Sequence, residues 1–313
     1  MGATPDRIRI ATRESQLAMR QTNMVAAALA ARMPGLAIEV VGMTTRGDRI
    51  LDRPLAEVGG KGLFVKELEA ALAEDRADIA VHSLKDVPME LPAGFALATF
   101  GPREEPLDAF VSTRHESLEA MPAGAVVGTS SLRRECQLRR AFPRLAFRAL
   151  RGNVNTRLAK LDRGEYDAII LAVAGLRRLG LEERIRAIVP ESTSLPAIAQ
   201  GILAVEYLQS RADVARMLAP HEDLPTAIAA RAERALGRVV EGSCEVPLGA
   251  LAKVAGSRLV LEAFIGLPDG SQLVRESVET ETADAQAAGE RLGRLLLDAG
   301  GREILARLAA RAA

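Results

Sequence analysis

Short apolar runs alternate with longer amphipathic segments through most of the chain. Residues 7–12 and 37–43 have the length and pattern of strands, and residues 79–81 are a short apolar strand, whereas residues 14–33 and 64–75 have the spacing of helices. Strands that alternate with helices in this way are typical of α/β folds. We therefore predict an α/β unit within the first hundred residues.

The same alternation begins again after a segment that is rich in proline and charge. Residues 101–106 read Gly-Pro-Arg-Glu-Glu-Pro and have the composition of a hinge, and residues 194–201 form a second hinge candidate. After residues 95–106, strands are predicted near 109–112, 125–129, 146–150 and 166–172, with helices between them. Two hinges around an inserted α/β unit predict two lobes that are joined by two crossings and separated by a cleft.

Beyond residues 219–225 the order of the elements changes. A helix at 226–240 precedes strands at 258–266 and 272–279 and helices at 283–298 and 302–312, which predicts a small α+β domain. We therefore expect three domains: 1–101 plus 199–220 as domain 1, 102–198 as domain 2, and 221–313 as domain 3.

The composition narrows the class of protein. The chain has 313 residues, of which 48% are apolar and 26% are charged, as in soluble globular proteins. Residues 1–9 contain no apolar run of the signal-peptide kind, and no segment is long and apolar enough to span a bilayer. Two cysteines and three histidines, widely spaced, favour neither a disulfide framework nor a metal site. We expect a cytoplasmic protein that binds neither metal nor membrane.

The charges balance overall but not locally. Residues 131–163 contain ten arginines and lysines against two acidic residues, which indicates an anionic partner. Single-stranded nucleic acid needs aromatic side chains for base stacking, and only Phe142 and Phe147 lie within this basic segment. A small ligand with several carboxylates or phosphates is therefore favoured over nucleic acid.

Three predicted strand-to-helix junctions support the same kind of ligand. Residues 12–15, 128–134 and 151–157 each bring Ser, Thr or Asn to the start of a helix, where free backbone N–H groups favour an anion. Each also contains arginine, whose planar guanidinium matches a carboxylate with two hydrogen bonds. A single junction is more often a helix cap beside a solvated arginine, but three in one chain favour a polycarboxylate.

Two further places contain candidate chemistry. The strand at 79–81 runs into Ser83, Lys85 and Asp86, at the kind of strand end where α/β proteins place active sites. Taken alone, Lys85 and Asp86 are better explained as a surface ion pair at the turn that ends a strand. Cys244 lies in a loop bounded by glycine and proline, whereas the pattern predicts core positions for Cys136 and His82.

Several motifs in order resemble the porphobilinogen deaminase (hydroxymethylbilane synthase) family. They are Arg9-Ile10-Ala11-Thr12-Arg13, Gly60-Lys61-Gly62-Leu63-Phe64, His82-Ser83-Leu84-Lys85-Asp86-Val87-Pro88, Val127-Gly128-Thr129-Ser130-Ser131-Leu132-Arg133-Arg134, Leu150-Arg151-Gly152-Asn153, Leu171-Ala172-Val173-Ala174-Gly175-Leu176 and the loop of Cys244. Each is weak alone, but the ordered set extends from Arg9 almost to the C-terminus and is highly specific.

The resemblance implies a fold and a reaction. The fold has two periplasmic-binding-protein-like lobes of type II and a third domain, in which Cys244 holds a dipyrromethane cofactor by a thioether. The reaction joins four porphobilinogen molecules, with loss of ammonia, into the linear tetrapyrrole hydroxymethylbilane. A monomer acting on this small-molecule substrate is expected, with no metal and no nucleic acid.

The resemblance also implies roles for individual residues. Asp86 would hold pyrrole N–H groups and stabilise the cation that ammonia loss leaves. Carboxylates of cofactor and substrate would be bound by Arg13, Ser15, Lys61, Ser83, Lys85, Thr129, Ser131, Arg133, Arg134, Arg151, Arg157 and Arg178. The chain departs from the family pattern at Ser243 and Ala199, which replace glycines, and at Glu57, where lysine is common in a loop at 44–62 that we expect to act as a lid.

Two functions of other classes share part of this pattern. A two-lobed solute-binding protein for a polycarboxylate would explain the lobes and the basic segment, but not Cys244 or the third domain. A nucleic-acid-binding protein would rest on the basic segment alone, and a strongly salt-dependent affinity for oligonucleotides would support it.

Overall fold

The computed structural model describes residues 5–45, 47, 62, 64–240 and 246–312. Its strands are β1 (Arg7–Arg13), β2 (Ala37–Met43), β3 (Ile79–Ser83), β4 (Phe95–Phe100), β5 (Asp108–Val111), β6 (Val126–Gly128), β7 (Ala146–Arg148), β8 (Ala168–Ala172), β9 (Ala187–Val189), β10 (Leu203–Leu208), β11 (Leu248–Ala255), β12 (Arg258–Gly266) and β13 (Leu273–Glu281). Its helices are α1 (Gln16–Arg32), α2 (Lys66–Ala73), α3 (Leu132–Ala141), α4 (Val154–Asp162), α5 (Val173–Arg178), α6 (Ala212–Leu218), α7 (Leu224–Val239), α8 (Ala285–Leu296) and α9 (Arg302–Ala312).

Lobe 1 is built on a five-stranded sheet with the order β2-β1-β3-β10-β4. The first three of these strands are parallel, and β10 is antiparallel to both β3 and β4. Buried Ile10, Ile79 and Val205 form its core with Val25 and Leu29 of α1. Polar side chains that follow β1 and β3 therefore come to the same edge of the sheet.

Lobe 2 repeats this arrangement with the strand order β7-β6-β8-β5-β9. Again three strands are parallel, and one antiparallel strand, β5, lies between them and the last strand. The chain passes from β4 to β5 and returns from β9 to β10, so the two antiparallel strands adjoin the two crossings. The predicted α/β class with two type II periplasmic-binding-protein-like lobes and a small α+β domain is confirmed.

Domain 3 has a three-stranded antiparallel sheet with the order β11-β12-β13. Alternate residues of β12, namely Leu259, Leu261, Ala263 and Ile265, are fully buried, because helices cover one face of the sheet. Helix α7 packs between this sheet and lobe 1, and its core is shared with Leu84 and Val87 of lobe 1. Domain 3 is therefore in direct contact with the segment that follows β3.

A buried carboxylate joins both crossings to domain 3. Glu233 of α7 is completely buried and accepts hydrogen bonds from Arg103 in the first crossing at 2.6 Å and from the backbone N–H of Ala199 in the second at 2.6 Å. It also accepts the N–H of Ala252 in β11 at 2.8 Å. Ala199 has a φ of 59°, in the left-handed region where glycine is more usual. The departure from glycine noted in the sequence thus falls on a strained residue of the hinge.

Most predicted elements lie within two residues of the observed ones. Four strands have no predicted counterpart, namely β4, β9, β10 and β11. Cys136 is fully buried and His82 is 6% exposed, as expected for core positions. The helices of the described ranges include none that is long and apolar enough to cross a membrane. Of the expected lid at 44–62, residues 46 and 48–61 lie outside the described residues, and with them Glu57.

Candidate active site

A cleft of about 480 Å³ lies between the two lobes, within the range usual for small-molecule sites. Side chains of both lobes line it. Its charged and polar lining consists of Arg13, Glu14, Ser15, Gln21, Thr44, Ser83, Lys85 and Asp86 from lobe 1, and Arg134, Arg151, Asn153, Thr156, Arg157 and Arg178 from lobe 2. Cationic side chains predominate, so the cleft suits a ligand with several negative charges.

Asp86 ends a single 3-10 turn, Leu84–Asp86, which directly follows β3. Buried Leu84 anchors this turn in the core, and Arg234 of α7 donates hydrogen bonds to the carbonyls of Pro88 at 2.7 Å and Met89 at 2.9 Å just beyond it. The carboxylate of Asp86 is exposed to the cleft, and no described residue donates a hydrogen bond to it. A fixed backbone thus presents an unsatisfied carboxylate to a ligand.

Lys85 points to different partners from those of Asp86. Its amine donates a hydrogen bond to Gln200 Oε1 at 3.3 Å, and among the described ion pairs there is none between Lys85 and Asp86. Burial of the amine, together with Arg134 and Arg133, lowers the pKa of Lys85 to about 8, although Asp86 and Asp108 oppose that shift. The simple surface ion pair is therefore wrong for these neighbours.

The lobe 1 wall continues with Arg13, Ser15 and Ser83, all of which line the cleft. The guanidinium carbon of Arg13 lies 4.2 Å from the centre of the Phe64 ring, in cation–π contact. Ser15 caps α1 by accepting the N–H of Ala18 at 3.3 Å, and Ser83 accepts a hydrogen bond from Gln21 at 2.8 Å.

Four arginines form the lobe 2 wall, because α3, α4 and α5 begin or end at this side of the sheet. Arg157 donates to the carbonyl of Gly152 at 2.7 Å, and burial together with Arg134 and Arg151 lowers its pKa to about 10. Arg178 donates to the carbonyl of Gly201 at 2.6 Å, and its burial likewise lowers its pKa to about 10. The charges of these guanidinium groups repel one another, and a bound polyanion would offset that repulsion.

Asp108 organises the inner end of this wall. It is completely buried and accepts hydrogen bonds from Arg133 at 2.8 Å and from Arg134 at 2.8 Å. Those two guanidinium groups outweigh the effect of burial and hold the pKa of Asp108 well below its usual range. Arg134 still reaches the cleft lining.

Three residues that were expected to bind ligand are not in the cleft lining. Arg133 is 5% exposed, and its two Nη groups donate to Asp108 and, at 2.5 Å, to the carbonyl of Leu195 in the hinge. Thr129 is buried and accepts the N–H of Ser131, and Ser131 in turn caps α3. These residues position the wall of the cleft, and ligand binding by them stays a prediction.

Two expected residues cannot be placed, since Lys61 and Cys244 lie outside the described residues, as does Ser243. Cys244 lies in the segment between α7, which ends at Val239, and β11, which begins at Leu248. Sequence reasoning missed Gln21 and Gln200, whose polar side chains are buried among core residues. The spacing of polar and apolar residues in the sequence does not indicate a role for either glutamine.

The cleft fits the polycarboxylate cofactor that the sequence implies. Lys85, Arg134, Arg151 and Arg157 converge on it from two lobes, and an exposed carboxylate, Asp86, faces the same space. Within the described ranges, no group of three or more His, Cys, Asp and Glu side chains could hold a metal ion.

Comparisons with solved structures return bacterial binding proteins of low similarity. The methionine-binding protein MetQ is 13% identical, with a TM-score of 0.43 over 73% of this chain and 95% of that one. The aliphatic sulphonate-binding protein SsuA from Escherichia coli is 14% identical, with a TM-score of 0.40 over 75% of this chain and 70% of that one.

Comparisons with known sequences and families are far closer. A porphobilinogen deaminase from Ralstonia nicotianae is 56% identical over 98% of this chain and 93% of its own length. A porphobilinogen deaminase from Chromobacterium violaceum is 55% identical over 96% of this chain and 97% of its own length. The family model for the dipyrromethane cofactor-binding domain of porphobilinogen deaminase matches residues 8–216, and the model for its C-terminal domain matches 227–298. The chain belongs to the porphobilinogen deaminase family.

Proposed function

We propose that this protein is a porphobilinogen deaminase, a transferase that joins four porphobilinogen molecules head to tail and releases ammonia. The product is the linear tetrapyrrole hydroxymethylbilane. Membership of the family and a cleft lined by cationic side chains from both lobes support the proposal. The single observation that carries it is the exposed carboxylate of Asp86, which faces the arginines of lobe 2 across that cleft.

The basic residues would bind the acetate and propionate groups of the pyrroles. Lys85 lies on one side of the cleft, and Arg134, Arg151, Arg157 and Arg178 lie on the other. A closed cleft lowers the local dielectric, which strengthens each of these contacts. Arg13 and Ser15 at the start of α1 would bind further carboxylates.

Asp86 has a different task, because its charge is opposite to that of the other ligand-binding groups. Its carboxylate would accept pyrrole N–H bonds and stabilise the positive charge that develops on the substrate as ammonia leaves. A unit charge at ~4 Å with an effective dielectric near 20 contributes about 4 kcal/mol. If this interaction forms only in the transition state, it accelerates the reaction by roughly three powers of ten.

The cofactor supplies the pyrrole chain to which the substrate units are added. Cys244 would hold it through a thioether, from the loop between α7 and β11. A free thiolate is the nucleophile that such an attachment needs. Lys61 would add a further cation from the segment that precedes Phe64.

The remaining expectations belong to this proposal as well. We propose that the enzyme acts as a monomer in the cytoplasm, and that neither a metal ion nor nucleic acid takes part in the reaction. Full activity in the presence of a metal chelator, from a species that sediments as a monomer, is the expected result.

Intact-mass measurement tests the attachment directly. The purified protein should exceed its sequence mass by one dipyrromethane, and Cys244→Ser should remove the added mass. Cys136→Ala is the matched control, because the other cysteine of the chain is fully buried, and this variant should keep the adduct. Active protein at the bare sequence mass would contradict the thioether, and a protein that releases no ammonia from porphobilinogen would contradict the activity.

A further inference from the structure

A buried carboxylate lies in lobe 1 beside strand β3, which leads into the turn Leu84–Asp86. Glu206 is the one acidic residue of β10 and is completely buried. Val205 belongs to the core beneath α1, and Ala204 belongs to the core shared with α7. Because side chains alternate along a strand, Glu206 lies on the α7 side of the sheet. The proposed function gives this carboxylate no part in the reaction.

The imidazole of His82 is the polar partner of Glu206. His82 precedes the turn on β3 and pairs with Ala204, so it lies diagonally across the ladder from Glu206. Its Nε2 lies 3.0 Å from Oε2 of Glu206, and both side chains are buried. No described residue other than His82 approaches either carboxylate oxygen as a hydrogen-bond donor. A displacement of His82 would therefore leave a buried carboxylate without its partner, which is costly.

Arg234 of α7 holds the chain on the other side of the turn. Its guanidinium donates hydrogen bonds to the carbonyls of Pro88 at 2.7 Å and Met89 at 2.9 Å. Burial and the charge of Arg238 lower the pKa of Arg234 to about 10, and the charge of Glu206 opposes that shift. Glu206 thus acts both on the residue that precedes the turn and on the residue that holds its far end.

A third charged neighbour of Glu206 lies on α2. Burial, together with the charge of Glu206, raises the pKa of Glu69, whereas His82 and Lys66 oppose that shift. The carboxylate of Glu206 therefore interacts with charges on three elements, namely β3, α2 and α7. Attraction from two of them and repulsion from the third favour a single position of the carboxylate.

We propose that Glu206 is a positioning residue for Asp86. Through His82 it fixes the end of the strand before the turn, and through Arg234 it fixes the segment after the turn. The carboxylate of Asp86 would then keep one place in the cleft, although no described residue donates a hydrogen bond to it. Positioning matters for rate, because a shift of about 1 Å at a reacting group can cost roughly a hundredfold. This inference rests on the proposed function.

Stability alone does not explain a charged group at this position. Apolar residues of similar volume often stabilise an interior as well as a buried charged pair does, because the desolvation of the charges offsets their attraction. The residues of β10 before Glu206 are apolar and buried, namely Leu203, Ala204 and Val205. A charged pair adds direction, since its partners must meet at a defined distance and angle. We therefore expect turnover to depend on Glu206, in addition to any effect on stability.

Glu206→Gln tests the assignment, because the amide keeps the shape of the side chain and removes its charge. The kcat for porphobilinogen should fall about tenfold to a hundredfold. KM should change by less than about twofold, because the cationic residues of the cleft are untouched. Thr99→Val is the matched control. Thr99 is buried in β4, the other neighbour of β10, and its hydroxyl has no hydrogen-bond partner among the described residues, so this variant should keep the wild-type kcat.

The Asp86→Asn background separates positioning from general damage. If Glu206 acts through Asp86, Glu206→Gln should lower kcat by less than about twofold in that background, because the group it positions is already inactive. Arg234→Lys keeps the test decisive if Glu206→Gln does not fold. Lysine keeps the charge but lacks the planar fork that binds two carbonyls, so kcat should fall in the wild type and change little in the Asp86→Asn background. Intact mass verifies that each variant carries the cofactor.

The outcomes separate this inference from the proposed function. If the wild type releases ammonia and carries the adduct, but Glu206→Gln has the wild-type kcat, the positioning role is wrong and the proposed function stands. An equal loss of kcat from Glu206→Gln in the wild type and in the Asp86→Asn background would also overturn the role, since the effect would not pass through Asp86. A wild type that releases no ammonia from porphobilinogen would refute the proposed function itself.

Discussion

Lys85 Nζ and Gln200 Oε1 lie 3.3 Å apart, and this contact joins the turn Leu84–Asp86 of lobe 1 to the second crossing. Gln200 continues the connection, because its Nε2 donates to Asp108 Oδ1 at 2.9 Å. Asp108 in turn binds Arg134 of the lobe 2 wall. A chain of hydrogen bonds therefore links the two walls of the cleft through the hinge.

The depressed pKa of Lys85 predicts a pH dependence of substrate capture. Lys85 is charged below about pH 8 and loses its proton as the pH rises through that value. Because the neutral amine attracts a carboxylate far less, kcat/KM for porphobilinogen should fall above pH 8. Lys85→Gln should have a lower kcat/KM at pH 7 and should lack this decrease.

The same shift affects stability in the opposite direction. The pKa in the folded state lies below the ordinary value of 10.5, so the unfolded chain binds the proton more tightly. The contribution of Lys85 to stability is therefore smallest below pH 8 and rises between about pH 8 and pH 10.5.

The kinetic prediction for Lys85 has a direct counter-result. A pH profile of kcat/KM that is identical in wild type and Lys85→Gln would contradict the role of Lys85 in substrate capture.

Asp86→Asn should separate folding from catalysis. The amide has the same shape, so the variant should fold and acquire the cofactor mass, but it lacks the charge that stabilises the developing cation. Turnover should fall by about three powers of ten. Glu90→Gln, an exposed substitution four residues along the chain, is the control and should leave turnover unchanged. Near-normal turnover of Asp86→Asn would remove Asp86 from the centre of the mechanism.

Glu233→Gln should destabilise the hinge. The carboxylate accepts hydrogen bonds from Arg103, Ala199 and Ala252. In the glutamine variant, the NH₂ group would face at least one of these N–H groups, and that hydrogen bond would be lost. Breaking a buried ion pair in this way costs about 3–5 kcal/mol, which should lower the thermal unfolding midpoint by several degrees. Asp298→Asn removes the exposed pair with Arg302 and should cost less than ~0.5 kcal/mol. Equal midpoints for the two variants would contradict the role of Glu233.

Two glycines separate backbone strain from steric clash. Gly201 in the second crossing has a φ of 89°, and an added Cβ would lie 2.3 Å from the carbonyl oxygen of Glu104. Gly256 in the turn between β11 and β12 has a φ of 61° and an open neighbourhood. Gly256→Ala should therefore cost about 1 kcal/mol, the strain alone, and Gly201→Ala should cost clearly more. Denaturant unfolding midpoints of the two variants measure the difference in destabilisation. Equal midpoints would show that the hinge accommodates the added Cβ without cost.

The fold was largely predictable because its strands and helices have strong hydrophobic periodicity. The strand predictions at 37–43 and 258–266 match the structure to the residue, and those for the helices of domain 3 match to within two residues. Strand β10 was missed because Glu206 and Tyr207 interrupt its apolar run, and β11 because alanine, glycine and lysine have low strand propensity. Both strands exist because neighbouring strands pair with them.

The site was less predictable, because sequence patterns do not distinguish a cleft-lining arginine from a structural one. Arg133 and Arg134 are adjacent and equally basic, yet Arg133 is used in the hinge and Arg134 reaches the cleft. Both donate to Asp108, but Arg133 also donates to the carbonyl of Leu195 in the second crossing. Such pairings follow from the tertiary fold alone.

The position of β10 sets an order for folding during synthesis. Strand β10 lies between β3 and β4, so β4 has no neighbour in its sheet until residues 203–208 have been made. All five strands of the other sheet lie within residues 108–189 and are available earlier. Chains are made from the N-terminus, and their domains generally fold as units. The lobe that begins the chain is therefore the second of the two to complete its sheet on the ribosome.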